Sequence, residues 1–228
     1  MQRMLHYRRS LMNCSDLRHL LSKAVLLSTD HKDFDLLAVI SRTIREMAEG
    51  ELLQLEKARK LDITEEVYYE IIRQKTATLI AACCEIGVLS NGADEVLAKK
   101  MQDFGTYTGI AFQIKDDLFD YLSKNIIGKP VGIDIKEQKM TLPLIFTLNS
   151  AKEIDRKYFF NIIKKHNNNQ SKVKELIEFV KKSGGLDYAI GVMKDYQQKA
   201  KNILAEFPDS EAKHSLNLML DYVIERKF

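Results

Sequence analysis

Proline is scarce in this chain, with three among 228 residues, and glycine is held to ten. With apolar residues at 45%, that scarcity excludes a disordered chain and leaves material for a buried core. Cysteine is equally thin. Cys14, Cys83 and Cys84 are an odd set with one adjacent pair, which fits no disulfide framework and no zinc spacing. Cys83 and Cys84 fall inside TATLIAACCEIGVL, where they are expected as small core residues in a reducing compartment. A dominant charge sign is missing too. The 35 basic and 32 acidic side chains leave a formal +3, and the lysines are not striped with aromatics, so no nucleic-acid partner is expected. No apolar run reaches the length of a bilayer span. The basic N-terminus is followed by a stretch broken by Ser, Asp, Arg, His and Lys, a poor signal peptide. These absences point to a cytoplasmic protein.

What is present is helical periodicity almost throughout. The class is all-α, read as a single domain over 1–228 with an atypical segment at 1–19. A helix is expected over Asp16–Ser28. The next, Phe34 to about Leu61, has a stripe of Leu37, Ile40, Ile44, Met47, Ala48 and Leu55. Glu51 falls inside that stripe, either beside a partner on a neighbouring helix or on a polar cavity floor. Asp62-Ile63-Thr64-Glu65 opens a helix to about Gly87, with Ile72, Thr76, Leu79, Ile80, Cys83 and Ile86 inward and Lys75 at the edge. Five more helices follow at about Thr141–Ser150, Glu153–Lys165, Ser171–Lys182, Leu186–Phe207 and Ser210–Arg226.

The chemistry concentrates in the helix begun at Asp94, over Phe104–Leu122, FGTYTGIAFQIKDDLFDYL. Phe104, Tyr107, Thr108, Ala111, Leu118, Phe119 and Leu122 form its apolar stripe, and Gln113, Asp116, Asp117 and Asp120 gather opposite. Three acids within five residues are either a solvated patch or a site for divalent cations. A long connection follows, SKNIIGKPVGIDIKEQKM, carrying Lys124, Lys129, Lys136 and Lys139. Mg²⁺ takes one or two protein carboxylates and fills its shell with water and phosphate oxygens. Lysine supplies point charge to phosphate. Acids followed by a lysine-rich loop therefore read as a site for a magnesium-chelated diphosphate. Neither EF-hand spacing nor a P-loop is present.

FQIKDDLFD at 112–120 resembles the second aspartate-rich motif of the trans-isoprenyl (polyprenyl) diphosphate synthases. Gly128-Lys129-Pro130 through Asp134 and Lys139-Met140-Thr141-Leu142-Pro143 resemble the segment after it; Lys75-Thr76 and Gly50-Glu51-Leu52-Leu53-Gln54-Leu55 resemble two earlier signatures. The resemblance covers roughly 20–228 and is nearest the long-chain, octaprenyl-type bacterial members. It implies a helical bundle around a central cavity, usually homodimeric, that condenses isopentenyl diphosphate head-to-tail onto an allylic diphosphate. By the same resemblance Asp116, Asp117 and Asp120 are metal ligands for Mg²⁺, and Lys75, Lys129 and Lys139 bind the diphosphate. Lys75, Thr76, Gln113 and Lys129 surround the reacting groups, and departing pyrophosphate is the proton acceptor.

The family's first aspartate-rich motif and its N-terminal Gly-Lys-Arg segment find no match in this sequence. Asp30-His31-Lys32-Asp33-Phe34-Asp35 has the wrong spacing, and Leu17-Arg18-His19 stands where the family has a Gly-Asp-Tyr type segment. The chain is thus expected to be N-terminally incomplete: a truncated synthase, or a non-catalytic subunit that binds allylic diphosphate and pairs with a complete partner. On either reading the isolated chain is not expected to condense isopentenyl diphosphate. A helical structural protein with an incidental acid patch is the remaining alternative. Product length, set in the family just before the missing motif, is not encoded here.

Overall fold

The computed structural model describes residues 19, 22–121 and 131–226, and every regular element among them is helical, as the periodicity predicts. Residues 22–30 are helical. They are followed by α1 (Phe34–Lys60), α2 (Glu65–Ile72), a π turn (Arg73–Ala77), α3 (Thr78–Leu89) and α4 (Glu95–Phe119). A short α5 (Ile133–Lys136) leads to α6 (Leu142–Ser150), α7 (Glu153–Lys165), α8 (Gln170–Lys182), α9 (Gly185–Ala205) and α10 (Glu211–Glu225). The last five lie within two residues of their expected bounds.

α4 is the axis of the bundle. Asp94 caps it by accepting from the Leu97 N–H at 2.8 Å, satisfying one of the first-turn donors. α3 lies along one side of it and α9 along another, with the π turn and α10 also in contact. Two glycines set the approaches of α3 and of the π turn. A Cβ at Gly105 would stand 2.5 Å from Ala81 Cα, and one at Gly109 would stand 2.5 Å from Ala77 Cα. The seam is therefore backbone against backbone. Met101 and Phe104 pack with Ala200, Leu204 and Leu220 at one end. Ile114, Leu118 and Tyr121 join the larger core of α6 to α8 at the other.

Several expectations are corrected. α2 to α3 is not one regular helix, because the π turn inserts a residue. Beyond it the buried face moves on by one, to Ala77, Ala81 and Ala82; Leu79 and Cys83 are exposed. Cys83 is thus no core residue, and Cys84 takes the inward position as a half-buried thiol. α1 is rotated as well. It buries Val39, Thr43 and Gly50, while Ile44 and Leu55 of the expected stripe are exposed. Glu51 is exposed rather than buried. α4 ends at Phe119, not Leu122, with Asp120 as its C-cap. Leu122 lies outside the described residues, as do 16–18, 20 and 21 of the first expected helix.

Candidate functional site

The site is assembled where the C-terminal end of α4 meets the π turn. A π turn widens the helix, and here it carries Lys75 and Thr76. Gly50 of α1 permits this: its missing Cβ would lie 2.7 Å from Gln74 Cβ and 2.9 Å from Lys75 N. Lys75 Nζ donates to Gln54 Oε1 at 2.6 Å and pairs with Glu51 Oε2 at 2.7 Å, both on α1. Glu51 thus proves to have a partner on a neighbouring helix. Thr76 Oγ1 donates to Gln113 Oε1 at 2.8 Å across the seam with α4.

From Gln113 the polar chain continues inward. Its Nε2 donates to Asp117 Oδ1 at 2.9 Å, and the Tyr68 hydroxyl donates to Asp117 Oδ2 at 2.8 Å. Asp117 is buried, not on a solvated face, and burial pushes its carboxyl up to about 7 despite those two donors, with Asp134 and Asp116 adding repulsion. Burial and the Asp117 carboxylate hold the Tyr68 phenol well above its usual range.

Asp120 leaves the helix and turns to the segment that follows. Its Oδ1 and Oδ2 accept from the backbone N–H groups of Ile133 and Asp134 at 2.9 and 3.2 Å, fixing the start of α5. Burial and Asp134 nonetheless raise it to about 6. Asp134 is raised too, chiefly by burial, against the opposing Lys139 ammonium. Lys139 reaches Glu137 at 2.5 Å and Asp134 at 3.6 Å. Tyr121, at the end of this turn, donates to or accepts from Thr141 Oγ1 at 2.6 Å, so Thr141 begins α6 without a side-chain cap.

Lys75, Thr76, Gln113, Asp116, Asp117, Asp120 and Lys139 all line one cavity of about 520 Å³, within the range of small-molecule sites. Sequence reasoning brought these seven together. Lys129 lies outside the described residues. Gln54 and Asp134 also line it; both lie inside the segments that resemble family signatures but without a role of their own there, whereas Tyr68 and Arg226 carry no local signal at all. Tyr68 reads as one more inward apolar position, and Arg226 is distant in sequence from everything it touches.

The donor set suits a hard cation. Asp117, Asp120 and Asp134 are all raised, chiefly by burial and further by neighbouring carboxylates, so their charged forms would gain from a cation placed among them. Yet among the described residues no group of three or more acidic, His or Cys side chains is arranged to grip an ion alone. Asp117 and Asp120 already accept from neighbours, and Asp116 is paired with Arg226. The residues fit a hard divalent cation held by one or two carboxylates, with other ligands completing its shell.

A helical bundle in which carboxylates, lysines and amide groups share one cavity at the head of its axial helix is the class this chain represents. Residues 10–180 match the model of the polyprenyl synthetase family, and the chain belongs to that family. It is 37% identical to the short chain isoprenyl diphosphate synthase of Methanothermobacter thermautotrophicus, over 84% of this chain and 58% of that protein. It is 32% identical to heptaprenyl diphosphate synthase component 2 of Bacillus subtilis, over 83% of this chain and 54% of that protein. Among solved structures, decaprenyl diphosphate synthase from Rhodobacter capsulatus superposes with a TM-score of 0.82 at 34% identity, covering 89% of this chain and 63% of that one. Polyprenyl synthase from Caulobacter crescentus, complexed with calcium and isoprenyl diphosphate, also gives 0.82, at 32% identity over 89% and 62%. The chain thus spans somewhat over half the length of these relatives. Among the described residues no helix is long and apolar enough to cross a membrane.

Proposed function

We propose that this cavity binds an allylic diphosphate as its magnesium complex and prepares it for head-to-tail condensation with isopentenyl diphosphate, as in isoprenoid and quinone side-chain synthesis. The observation that carries this reading is the placement of Lys75 and Lys139 on the same cavity as Asp116, Asp117 and Asp120. Carboxylates alone would suit a bare cation. Carboxylates facing lysines suit a cation that arrives with an anion.

Asp116 and Asp120 are the residues that would hold Mg²⁺, with Asp117 behind them, and the ion would supply positive charge to the leaving diphosphate. Lys75 and Lys139 would meet the phosphate oxygens, each leaving its present carboxylate partner. Thr76 and Gln113 hold one another by a 2.8 Å hydrogen bond, and their oxygens would face positive charge developing on the allylic carbon. Tyr68 keeps Asp117 fixed through its hydroxyl. Outward-facing Leu52 and Leu55, which line one shallow surface depression on α1, favour a partner chain there, as does the likeness to a protein named as a component.

Binding is the deciding measurement. Titration calorimetry with farnesyl diphosphate is expected to give saturable binding in magnesium, lost on chelation and weakened by Lys75→Met. Equal affinity with and without the metal would refute the reading. Transfer of labelled isopentenyl diphosphate onto the bound allyl, tested for the chain alone and with any co-purifying partner, then reports whether turnover follows.

A further inference from the structure

Arg226 plays no part in the sequence-based site. It is the C-cap residue of α10, and its Nη2 donates to Asp116 Oδ1 at 2.5 Å and to the Phe112 carbonyl at 3.3 Å. Its guanidinium lies 4.1 Å from the ring centre of Phe112 and 5.4 Å from that of Phe119. Phe119, expected in the apolar stripe opposite the acids, instead stands with Phe112 and Asp116 on one face of α4, so the arginine is seated on both rings and the carboxylate together. Its side chain is 14% exposed against 40% for Asp116, which sets it apart from a mobile surface pair. Nε is buried with no hydrogen-bond partner among the described residues, and the residue lines the same cavity as Lys75 and Lys139.

This arrangement has two consequences of opposite sign. A fixed guanidinium on Asp116 occupies a carboxylate oxygen and places positive charge where a cation would approach. For a bare divalent ion it is a competitor. Guanidinium also has five N–H donors in a planar fork suited to phosphate. An ion that arrives with a diphosphate brings the anion those donors can take. We infer that Arg226 makes cation binding and diphosphate binding at this cavity depend on one another, by standing as the counter-ion of Asp116 until an anion draws it off. The inference rests on the proposed diphosphate reading of the cavity.

The test separates the two ligands. Mn²⁺ binding, followed by the electron paramagnetic resonance of the free ion, is measured alone and with inorganic pyrophosphate for the intact chain, Arg226→Gln and Arg226→Lys. Thermal melts check that each variant is folded. In the unaltered protein pyrophosphate is expected to tighten Mn²⁺ binding by roughly fivefold or more. Arg226→Gln is expected to bind Mn²⁺ alone on the order of tenfold more tightly, having lost a like charge a few ångströms away. It should also lose most of the enhancement by pyrophosphate. Arg226→Lys keeps the charge but not the fork, so it should retain the weak binding of the bare ion and only part of the enhancement. If Arg226→Gln weakens Mn²⁺ binding, or keeps the full enhancement, the role of Arg226 is overturned while the diphosphate site stands. If the unaltered chain binds neither ligand, both fall.

Discussion

Gly109→Ala sets two helix effects against each other at one atom. Alanine relieves the backbone entropy that glycine loses in a helix interior, a gain of about 0.5–1 kcal/mol. At this position, however, the new Cβ would stand 2.5 Å from Ala77 Cα and 2.7 Å from Ala77 Cβ. Ordinary carbon contacts lie at about 3.5–4 Å, so α4 and the π turn must part by roughly 1 Å. Neither atom is the end of a flexible side chain that could swing away. Overpacking of this kind costs about 1–3 kcal/mol, and backbone contact places it in the upper half. The net expectation is a loss of about 1–2 kcal/mol, or about 2–8 °C in melting temperature for a chain of this size. Gly191→Ala in α9 supplies the control, because no atom lies within 4 Å of its added Cβ. There the propensity gain acts alone and the protein should be stabilised by about 0.5–1 kcal/mol. Urea unfolding followed by far-ultraviolet circular dichroism measures both, with equal slopes confirming that the transitions are comparable. Midpoints that move in the same direction would refute the argument that the seam leaves no room. The 2.8 Å bond from Thr76 to Gln113 crosses the same seam, so farnesyl diphosphate affinity should fall with Gly109→Ala and hold with Gly191→Ala.

Tyr68→Phe removes one of two side-chain donors to the buried Asp117 carboxyl, with no change in packing volume beyond the hydroxyl. At a pH well above the value of about 7 to which burial raises Asp117, the carboxylate is charged and a hydrogen bond to it is worth about 1.5–3 kcal/mol, so the urea midpoint should drop correspondingly there, and an unchanged midpoint would contradict the pairing. The adjacent cysteines should separate kinetically. In a Cys14→Ser background at mildly alkaline pH, Cys83 is exposed and should react quickly with a thiol reagent. Cys84, whose thiol burial pushes up to about 11, should react slowly; equal rates in Cys83→Ser and Cys84→Ser variants would overturn the register assigned to α3.

What could be read from the sequence was local. Asp116, Asp117, Asp120 and Gln113 lie within eight residues on one helix, and a rotation of about 100° per residue suffices to gather them. Lys75 and Thr76 carried only a weak signal of their own, a lysine mid-helix at the edge of an apolar face, and entered the site through the resemblance of the Lys-Thr pair to a family signature. Pairings fixed by tertiary contact were not legible. Arg226 and Asp116 are 110 residues apart, and nothing near either one names the other. The exposed face of α1 misled because Ile44 and Leu55 obey helical spacing as faithfully as the buried Val39 and Thr43. Which stripe is buried depends on what lies against it, and periodicity carries no such information.

The π turn accounts for the largest miss and also for the site. Tyr68 and Thr76 both reach α4, at Asp117 and Gln113, which are one turn apart on it. In an unbroken α-helix eight residues span two turns and about a further 80°, which would aim the two side chains at different neighbours. A wide turn absorbs about one residue, and the separation falls to about 20° in the other sense. Only then can a single face of the α2–π turn segment present both groups to a single face of α4. The distortion is held by Gly50 and Gly109, whose missing side chains admit the backbone of residues 75 and 77 from opposite sides. The same inserted residue that shifted the α3 core from Thr76, Leu79 and Cys83 to Ala77 and Ala81 therefore leaves Thr76 free of the core and turned to Gln113. The failure of regular periodicity after Ile72 and the presence of a polar cavity beside it have one cause.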